Sequence, residues 1–197
     1  MAQTLKNEPV QLLIIGGSAG SLEVLLDVLP HLNAGLKLAI IIVLHRKNSY
    51  DSSLTELIAA KTRLKVKEAD DKDNILPGWI YLAPADYHLL IENNHTLSLD
   101  DSEKVNFSRP CIDVTFQTAA ETYGSALCCL LLSGASADGA DGLKLVKQSG
   151  GITVVQDPAC AEVSYMPKKA IEINKPDLIL DTQAMAAFIN SLAEHSV

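Results

Sequence analysis

The sequence has few aromatic residues, no excess of basic over acidic residues, and no long apolar run. Phe, Trp and Tyr make up 5% of its 197 residues, with a single tryptophan. So few stacking platforms argue against a binder of single-stranded nucleic acid. Lys and Arg number 16 against 24 Asp and Glu, a formal net charge of −8. That balance lacks the basic footprint on which nucleic-acid affinity rests, so no nucleic-acid partner is expected. No apolar stretch approaches the roughly 18 residues of a membrane span, so no membrane insertion is expected. The first apolar run, Val10 to Ile15, is too short for the apolar part of a signal peptide. The four cysteines, Cys111, Cys128, Cys129 and Cys160, contain no C-x-x-C pair. Cys128 and Cys129 lie side by side in an apolar run and read as small buried hydrophobes. A reducing, cytoplasmic setting fits this usage.

What the chain does have is apolar mass, 48% of its residues, arranged in short runs. Val10–Ile15 stops at Gly16-Gly17 and is followed by Leu22, Leu25, Leu26 and Leu29 at helical spacing. Leu36–Leu44 is β-branched and nearly uninterrupted, as expected of a strand buried on both faces. Ser52–Ala60 reads as a helix and Leu64–Glu68 as a short strand. Between Ile75 and Leu99 the pattern changes to short strand candidates (Trp79–Ala83, His88–Ile91, Thr96–Leu99) with turn chemistry at Pro77-Gly78 and Asn93-Asn94. The α/β alternation then resumes. Helices are predicted over Ile112–Tyr123, Gly139–Gln148, Pro167–Ile173 and Thr182–Leu192. Strands are predicted over Ala126–Leu132, Ile152–Val155 and Leu178–Leu180. The pattern predicts a three-layer α/β/α, doubly wound, mostly parallel sheet with an antiparallel hairpin elaboration. In that architecture sites form at the carboxyl ends of strands.

Three loops at such ends carry reactive side chains. Gly16-Gly17-Ser18-Ala19-Gly20-Ser21 contains G-x-S-x-G, which puts Ser18 on a tight strand-to-helix turn. The helix that follows offers unpaired N–H groups to a developing oxyanion. The same loop is open to anion binding or to a plain turn, although G-x-G-x-x-G and Walker A motifs are absent. His45 directly follows the Leu36–Leu44 run, where an imidazole can serve as a general base or as a loop residue. Asp138, in Ser133-Gly134-Ala135-Ser136-Ala137-Asp138-Gly139, can cap the next helix or orient an imidazole; Asp141 competes with it locally. His31, His88, His95 and His195 follow no buried parallel strand and read as surface residues. The order Ser, His, Asp differs from the Ser, Asp, His order of α/β-hydrolases.

Together these residues resemble the catalytic domain of CheB-type protein-glutamate methylesterases. Ile15-Gly16-Gly17-Ser18-Ala19-Gly20-Ser21 is similar to the family's I-G-A-S-[TA]-G-G segment, and Leu44-His45 to its strand-ending histidine. Leu132-Ser133-Gly134-Ala135-Ser136-Ala137-Asp138-Gly139 is similar to its L-[ST]-G-x-x-x-D-G segment, a spacing that selects Asp138 over Asp141. Arg109-Pro110-Cys111-Ile112-Asp113, the Leu76–Gly78 and Tyr81–Pro84 segments, and Gly150-Gly151 through Gln156 to Met166-Pro167 match further segments in order. Three positions depart from the pattern: Ser21 replaces a glycine, Ala135 a frequent methionine, and Tyr165 a usual glycine.

The resemblance implies a triad of Ser18, His45 and Asp138. It implies an oxyanion hole or substrate-binding surface from Ala19, Ala135 and Met166. It implies hydrolysis of γ-glutamyl methyl esters on methyl-accepting chemoreceptor cytoplasmic helices, with deamidation of glutamines by related members. No metal and no organic cofactor is expected, and the Asp70–Asp73 cluster reads as a solvated hairpin loop rather than a calcium site. Residues 1–9 are expected to form a tail and 10–197 the catalytic domain. A receiver domain in the same polypeptide is not expected, nor is dependence on its phosphorylation. Two other readings stand beside this one: a CheB-like regulatory or binding module with altered catalysis, supported by the three departures, and an esterase acting on a different substrate with the same triad.

Overall fold

The computed structural model describes residues 9–46 and 53–193. Its strands are β1 (Leu12–Gly17), β2 (Ala39–Leu44), β3 (Lys65–Glu68), β4 (Trp79–Leu82), β5 (His88–Ile91), β6 (Leu97–Asp100), β7 (Leu127–Leu131), β8 (Ile152–Gln156) and β9 (Leu178–Leu180). Its helices are α1 (Ser21–Val28), α2 (Ser53–Ala59), α3 (Ile112–Tyr123), α4 (Ala140–Gln148), α5 (Tyr165–Asn174) and α6 (Thr182–Leu192). Seven strands form one sheet in the order β3-β4-β2-β1-β7-β8-β9, and every pairing within it is parallel.

The sheet is covered on both faces because its central strands alternate two apolar sets. Leu13, Ile15, Ile40, Ile42 and Leu130 point to one side and pack with Val24, Leu25 and Val28 of α1 and Met185 and Ile189 of α6. Leu12, Ile14, Ile41, Val43 and Leu131 point to the other and pack with Phe116 of α3, Leu143 of α4 and Met166 of α5. Cys128 and Cys129 fall on opposite faces, both fully buried. Each such Leu or Ile contributes roughly 1.5–3 kcal/mol by leaving water. That two-sided burial is why the strands read as continuous apolar runs.

The Ile75–Leu99 region divides in two, unlike the wholly antiparallel elaboration its sequence suggests. β4 runs parallel between β3 and β2, and its Ile80, Tyr81 and Leu82 are buried. Four residues are too few for the sequence to distinguish a central strand from a hairpin arm. Only β5 and β6 pair antiparallel, as a separate two-stranded sheet. Leu89, Ile91 and Leu97 of this hairpin join the core on the α3 side. Thr115 Oγ1 on α3 donates to the Leu89 carbonyl at 2.8 Å, and Ile91 N–H donates to Thr118 Oγ1 at 3.1 Å.

Element boundaries differ slightly from the periodicity. β1 continues through Gly16 and Gly17, held by pairing with Val43 and Leu44. α5 begins at Tyr165, ahead of Pro167. Ser52 of the predicted second helix and residues 1–8 of the predicted tail lie outside the described residues. From β1 the chain winds outward to β2, and β7 returns to the other flank of β1. The topological switch therefore lies between β1 and β7, the place where a crevice opens at the carboxyl ends of the strands.

Candidate active site

The three predicted loops leave the sheet side by side. Ser18 N–H donates to the Ser133 carbonyl at 2.9 Å, and His45 N–H to the Gly17 carbonyl at 3.1 Å. Ser18 is therefore flanked by the chain that carries His45 and the chain that leads to Asp138. The turn after Ser18 needs Gly20, whose φ is +78°. A Cβ there would lie 2.6 Å from Glu162 Cβ and 2.8 Å from Ser133 Oγ. Ser21, the departure from glycine, is fully buried, and its Oγ donates to the Ser18 carbonyl. It stabilises the turn rather than disturbing it. Gly134 allows close approach on the other side, since a Cβ there would be 2.6 Å from Met166 Cε and 3.0 Å from Ser18 Cβ.

His45 and Asp138 meet across 93 residues of chain. His45 Nε2 lies 2.7 Å from Asp138 Oδ2, with the histidine side chain 14% exposed and the aspartate fully buried. Asp138 does not cap α4; Gly139 occupies that position. The carboxylate instead caps α3 from a distance. Oδ2 also accepts from Ile112 N–H at 2.7 Å, and Oδ1 accepts from Asp113 N–H and the Cys111 thiol, each at 3.0 Å. These are the unpaired donors and the positive end of a helix, a natural seat for an anion. Burial opposes the charge on Asp138, but the bonds from His45, Cys111, Ile112 and Asp113 outweigh it and hold the carboxyl at about 2. Asp141, the local competitor, is exposed in the first turn of α4.

With Nε2 bonded to an ionised carboxylate, that nitrogen carries the proton and Nδ1 is the free base. Ser108 Oγ lies 3.5 Å from Nδ1. The polar contacts given by Ser18 run through its backbone, and its hydroxyl is not bonded to His45 among the described residues. Proton-transfer contacts of this kind are commonly long without substrate and tighten in the complex.

Around this pair sits a layer of residues to which the sequence pattern assigns no role. Ser133 is fully buried, donates its N–H to Gln156 Oε1 at 2.8 Å and its Oγ to the Ala19 carbonyl at 2.7 Å, and accepts from Val163 N–H at 2.9 Å. It ties the Ser18 loop to the Asp138 loop. His88, expected at the surface, is buried: its Nδ1 accepts from Cys111 N–H at 3.2 Å and its Nε2 meets the Glu103 carbonyl at 3.0 Å. Its hairpin folds over α3, a contact no local pattern reveals. His31 and His95 are exposed as expected, and His195 lies outside the described residues.

Asp113 accepts from Gly142 N–H at 2.6 Å and Asn106 Nδ2 at 2.9 Å. Burial raises its carboxyl, the Gly142 bond opposes this, and the charge of Asp138 adds to the rise, to about 7. Cys111, Asp113 and Asp138 bring their polar atoms within 4.8 Å of one another, a spacing a metal ion could bridge. Those atoms are already engaged in the hydrogen bonds just described. Burial pushes the Cys111 thiol up, so it stays a protonated donor. The cluster is therefore a carboxylate cage rather than a ready set of metal ligands.

Of the predicted oxyanion or substrate residues, Ala19 and Ala135 are exposed at the loop tips. Their N–H groups have no intramolecular acceptor among the described residues, whereas Ser133 N–H and Gly134 N–H are both engaged. Met166 differs from expectation: it is fully buried, with its N–H on the Gly134 carbonyl at 2.9 Å and its thioether beneath Gly134. It packs under the loop that carries Ala135. The Asp70–Asp73 cluster is a turn in which Asp73 accepts from Asp70 N–H and Lys67 Nζ. In front of His45 lies an open cleft of about 380 Å³, walled by Arg46, Asp86, Lys104, Phe107, Ser108 and Arg109.

Fold and site define a doubly wound α/β protein of hydrolase type, with a hydroxyl, an imidazole and a buried carboxylate on neighbouring loops. Comparison with known proteins narrows the class. Residues 13–189 match the family described as CheB methylesterase. The chain is 40% identical over 185 residues to a putative protein-glutamate methylesterase/protein-glutamine glutaminase of Leptospira interrogans, covering 94% of this chain and 96% of that one. It is 36% identical over 180 residues to protein-glutamate methylesterase/protein-glutamine glutaminase 2 of Pseudomonas aeruginosa, covering 90% of this chain and 51% of that one. The crystal structure of the Thermotoga maritima CheB methylesterase catalytic domain superposes with a TM-score of 0.88 at 32% identity, over 94% of this chain and all of that one. The chain belongs to the CheB methylesterase family.

Proposed function

We propose that the protein hydrolyses γ-glutamyl methyl esters on the cytoplasmic helices of chemoreceptors and releases methanol. The observation that carries this reading is the 2.7 Å contact between His45 Nε2 and the fully buried Asp138, beside the Ser18 turn. Ser18 Oγ attacks the ester carbonyl while His45 Nδ1 takes its proton. Asp138 keeps the imidazole in the Nε2–H form and balances the imidazolium. The N–H groups of Ala19 and Ala135 donate to the oxyanion. The imidazolium then protonates the departing methoxide, and water, activated by the same base, cleaves the acyl-enzyme and restores Ser18. With a glutamine side chain the same sequence expels ammonia, which would be the glutaminase reaction that the relatives' names carry. No helix among the described residues is long and apolar enough to cross a membrane, and the proposed setting is the cytoplasm, where the receptor helices lie.

The test is methanol release from methylated receptor membranes. Wild-type protein is expected to be active and Ser18→Ala to lose activity by several orders of magnitude while keeping its melting temperature. Equal activity in the two proteins would refute the triad assignment.

A further inference from the structure

The segment before α3 carries a feature that catalysis alone does not require. Val105, Asn106, Phe107 and Ser108 form a tight turn, closed by a 2.9 Å bond from Ser108 N–H to the Val105 carbonyl. Its two central residues have φ of +52° and +61°. Two positive φ values in a row are the mark of a type I′ turn, which favours Asn first and Gly second. Asn106 satisfies that preference and Phe107 does not. A bulky side chain at positive φ is strained and persists only where the surroundings fix it.

The surroundings do fix it, from the catalytic side. Asn106 Nδ2 donates to Asp113 Oδ2 at 2.9 Å, and Ser108 Oγ faces His45 Nδ1. Arg109 anchors the far end by donating to the carbonyls of Asp101 and Ser102. The Phe107 ring gains nothing from folding, being 98% exposed. It projects at the rim of the cleft that contains His45, with Val105 also exposed on the turn. The same cleft is lined by Arg46, Lys104 and Arg109 against Asp86. Glu68 pairs with Arg46, and in the lining of the cleft Lys104 and Arg109 face the single carboxylate of Asp86.

We propose that the Val105–Ser108 turn is a docking element for the protein substrate. Phe107 packs on an apolar side chain of the substrate helix, and Lys104 pairs with an acidic residue on that helix. This inference rests on the methylesterase reading above and names the recognition surface of that site. Aromatic anchors beside charged groups are the usual centres of binding energy at protein interfaces.

The experiment compares wild type, Phe107→Ala and Lys104→Glu on two substrates: methylated receptor membranes and a small N-acylated glutamate γ-methyl ester. Removing a side chain that is 98% exposed removes little packing. Each variant is expected to lose about tenfold or more in kcat/KM on receptor. On the small ester, each variant is expected to lose much less than on receptor, and the wild-type pH profile is expected for Phe107→Ala, which changes no charge. Unchanged receptor activity overturns the proposal, and so does an equal loss on both substrates, which would make the turn a support for His45. Co-sedimentation of Ser18→Ala protein with receptor membranes, with and without Phe107→Ala, reads docking without catalysis. Weaker binding of the double variant supports the proposal even if the methylesterase reading fails, and equal binding overturns it.

Discussion

Replacing Asp138 by asparagine is the most searching single perturbation of the site, because the cage around it is made of donors. Oδ2 faces His45 Nε2–H and Ile112 N–H, and Oδ1 faces the Cys111 thiol and Asp113 N–H. An amide offers one acceptor oxygen and one donor NH₂, so either orientation sets the NH₂ against a backbone N–H. With the NH₂ on the Oδ2 side, Ile112 N–H is orphaned and His45 must accept through Nε2. Its proton then sits on Nδ1, the nitrogen that has to act as base. With the NH₂ on the Oδ1 side, Asp113 N–H is orphaned and the thiol must turn to accept. A buried donor left without a partner costs about 1–3 kcal/mol, and both orientations also lose bonds to a charged acceptor. The expected loss of stability is therefore about 2–4 kcal/mol. Neither orientation retains a negative charge beside the imidazolium. Loss of the charge, joined in the first orientation by the wrong tautomer, lowers the rate by up to about 10⁴-fold in triads of this logic. Urea denaturation gives the first number, and methanol release from receptor membranes gives the second. Activity within tenfold of wild type, at unchanged stability, would refute both the cage and the role of Asp138.

Cys111→Ala removes one donor from Asp138 Oδ1 and leaves the two backbone donors in place. The Asp138 carboxyl, held at about 2 in part by that thiol, then rises toward the ordinary value, so the acid limb of the stability profile in urea moves to higher pH. Cys111→Ser keeps a donor and is expected to keep the wild-type profile; identical profiles for all three proteins would refute the thiol's role. Asp113 supplies a stability prediction. Its carboxyl is raised to about 7 by burial and by the charge of Asp138. The folded state thus binds more protons than the unfolded state between about pH 4 and 7, and stability falls as pH rises through that window. Asp138 has the opposite sign: its contribution is present above about pH 4 and is lost as pH falls through about 2. Asp113→Asn should flatten the fall between pH 4 and 7 in urea midpoints. An undiminished slope in the variant would assign it to other groups.

Much of the fold was legible because the main sheet is parallel and buried on both faces. Runs such as Leu36–Leu44 and Ala126–Leu132 are short, apolar and bounded by turn residues, as doubly buried strands are, and the helices between them show one apolar side. The same regularity made the site legible. A strand that must end at the sheet edge delivers whatever residue follows it, and here those residues are Ser18, His45 and the loop to Asp138. The reading failed where a segment's partner is remote in sequence. Trp79–Leu82 is short enough to fit either a hairpin or a central strand, and only its docking between β2 and β3 decides. His88 has no local mark of burial; it is covered because its hairpin packs over the start of α3. Met166 sits in a family segment, but its depth beneath Gly134 depends on how α5 meets the loop after β7.

The sequence by itself determined the order of strands and helices, the glycines of the Ser18 turn and the three side chains at the carboxyl edge. These follow from local spacing, periodicity and backbone preference, which operate within a few residues. The tertiary structure alone decided that Asp138 would cap the start of α3, that Cys111 would add a thiol to that cage, that Nδ1 would be the His45 nitrogen turned away from Asp138, and that Phe107 would stand exposed at the rim of the same cleft. Those facts are distances between atoms on segments tens of residues apart. They are set by how the helices close over the sheet, and no local pattern encodes them.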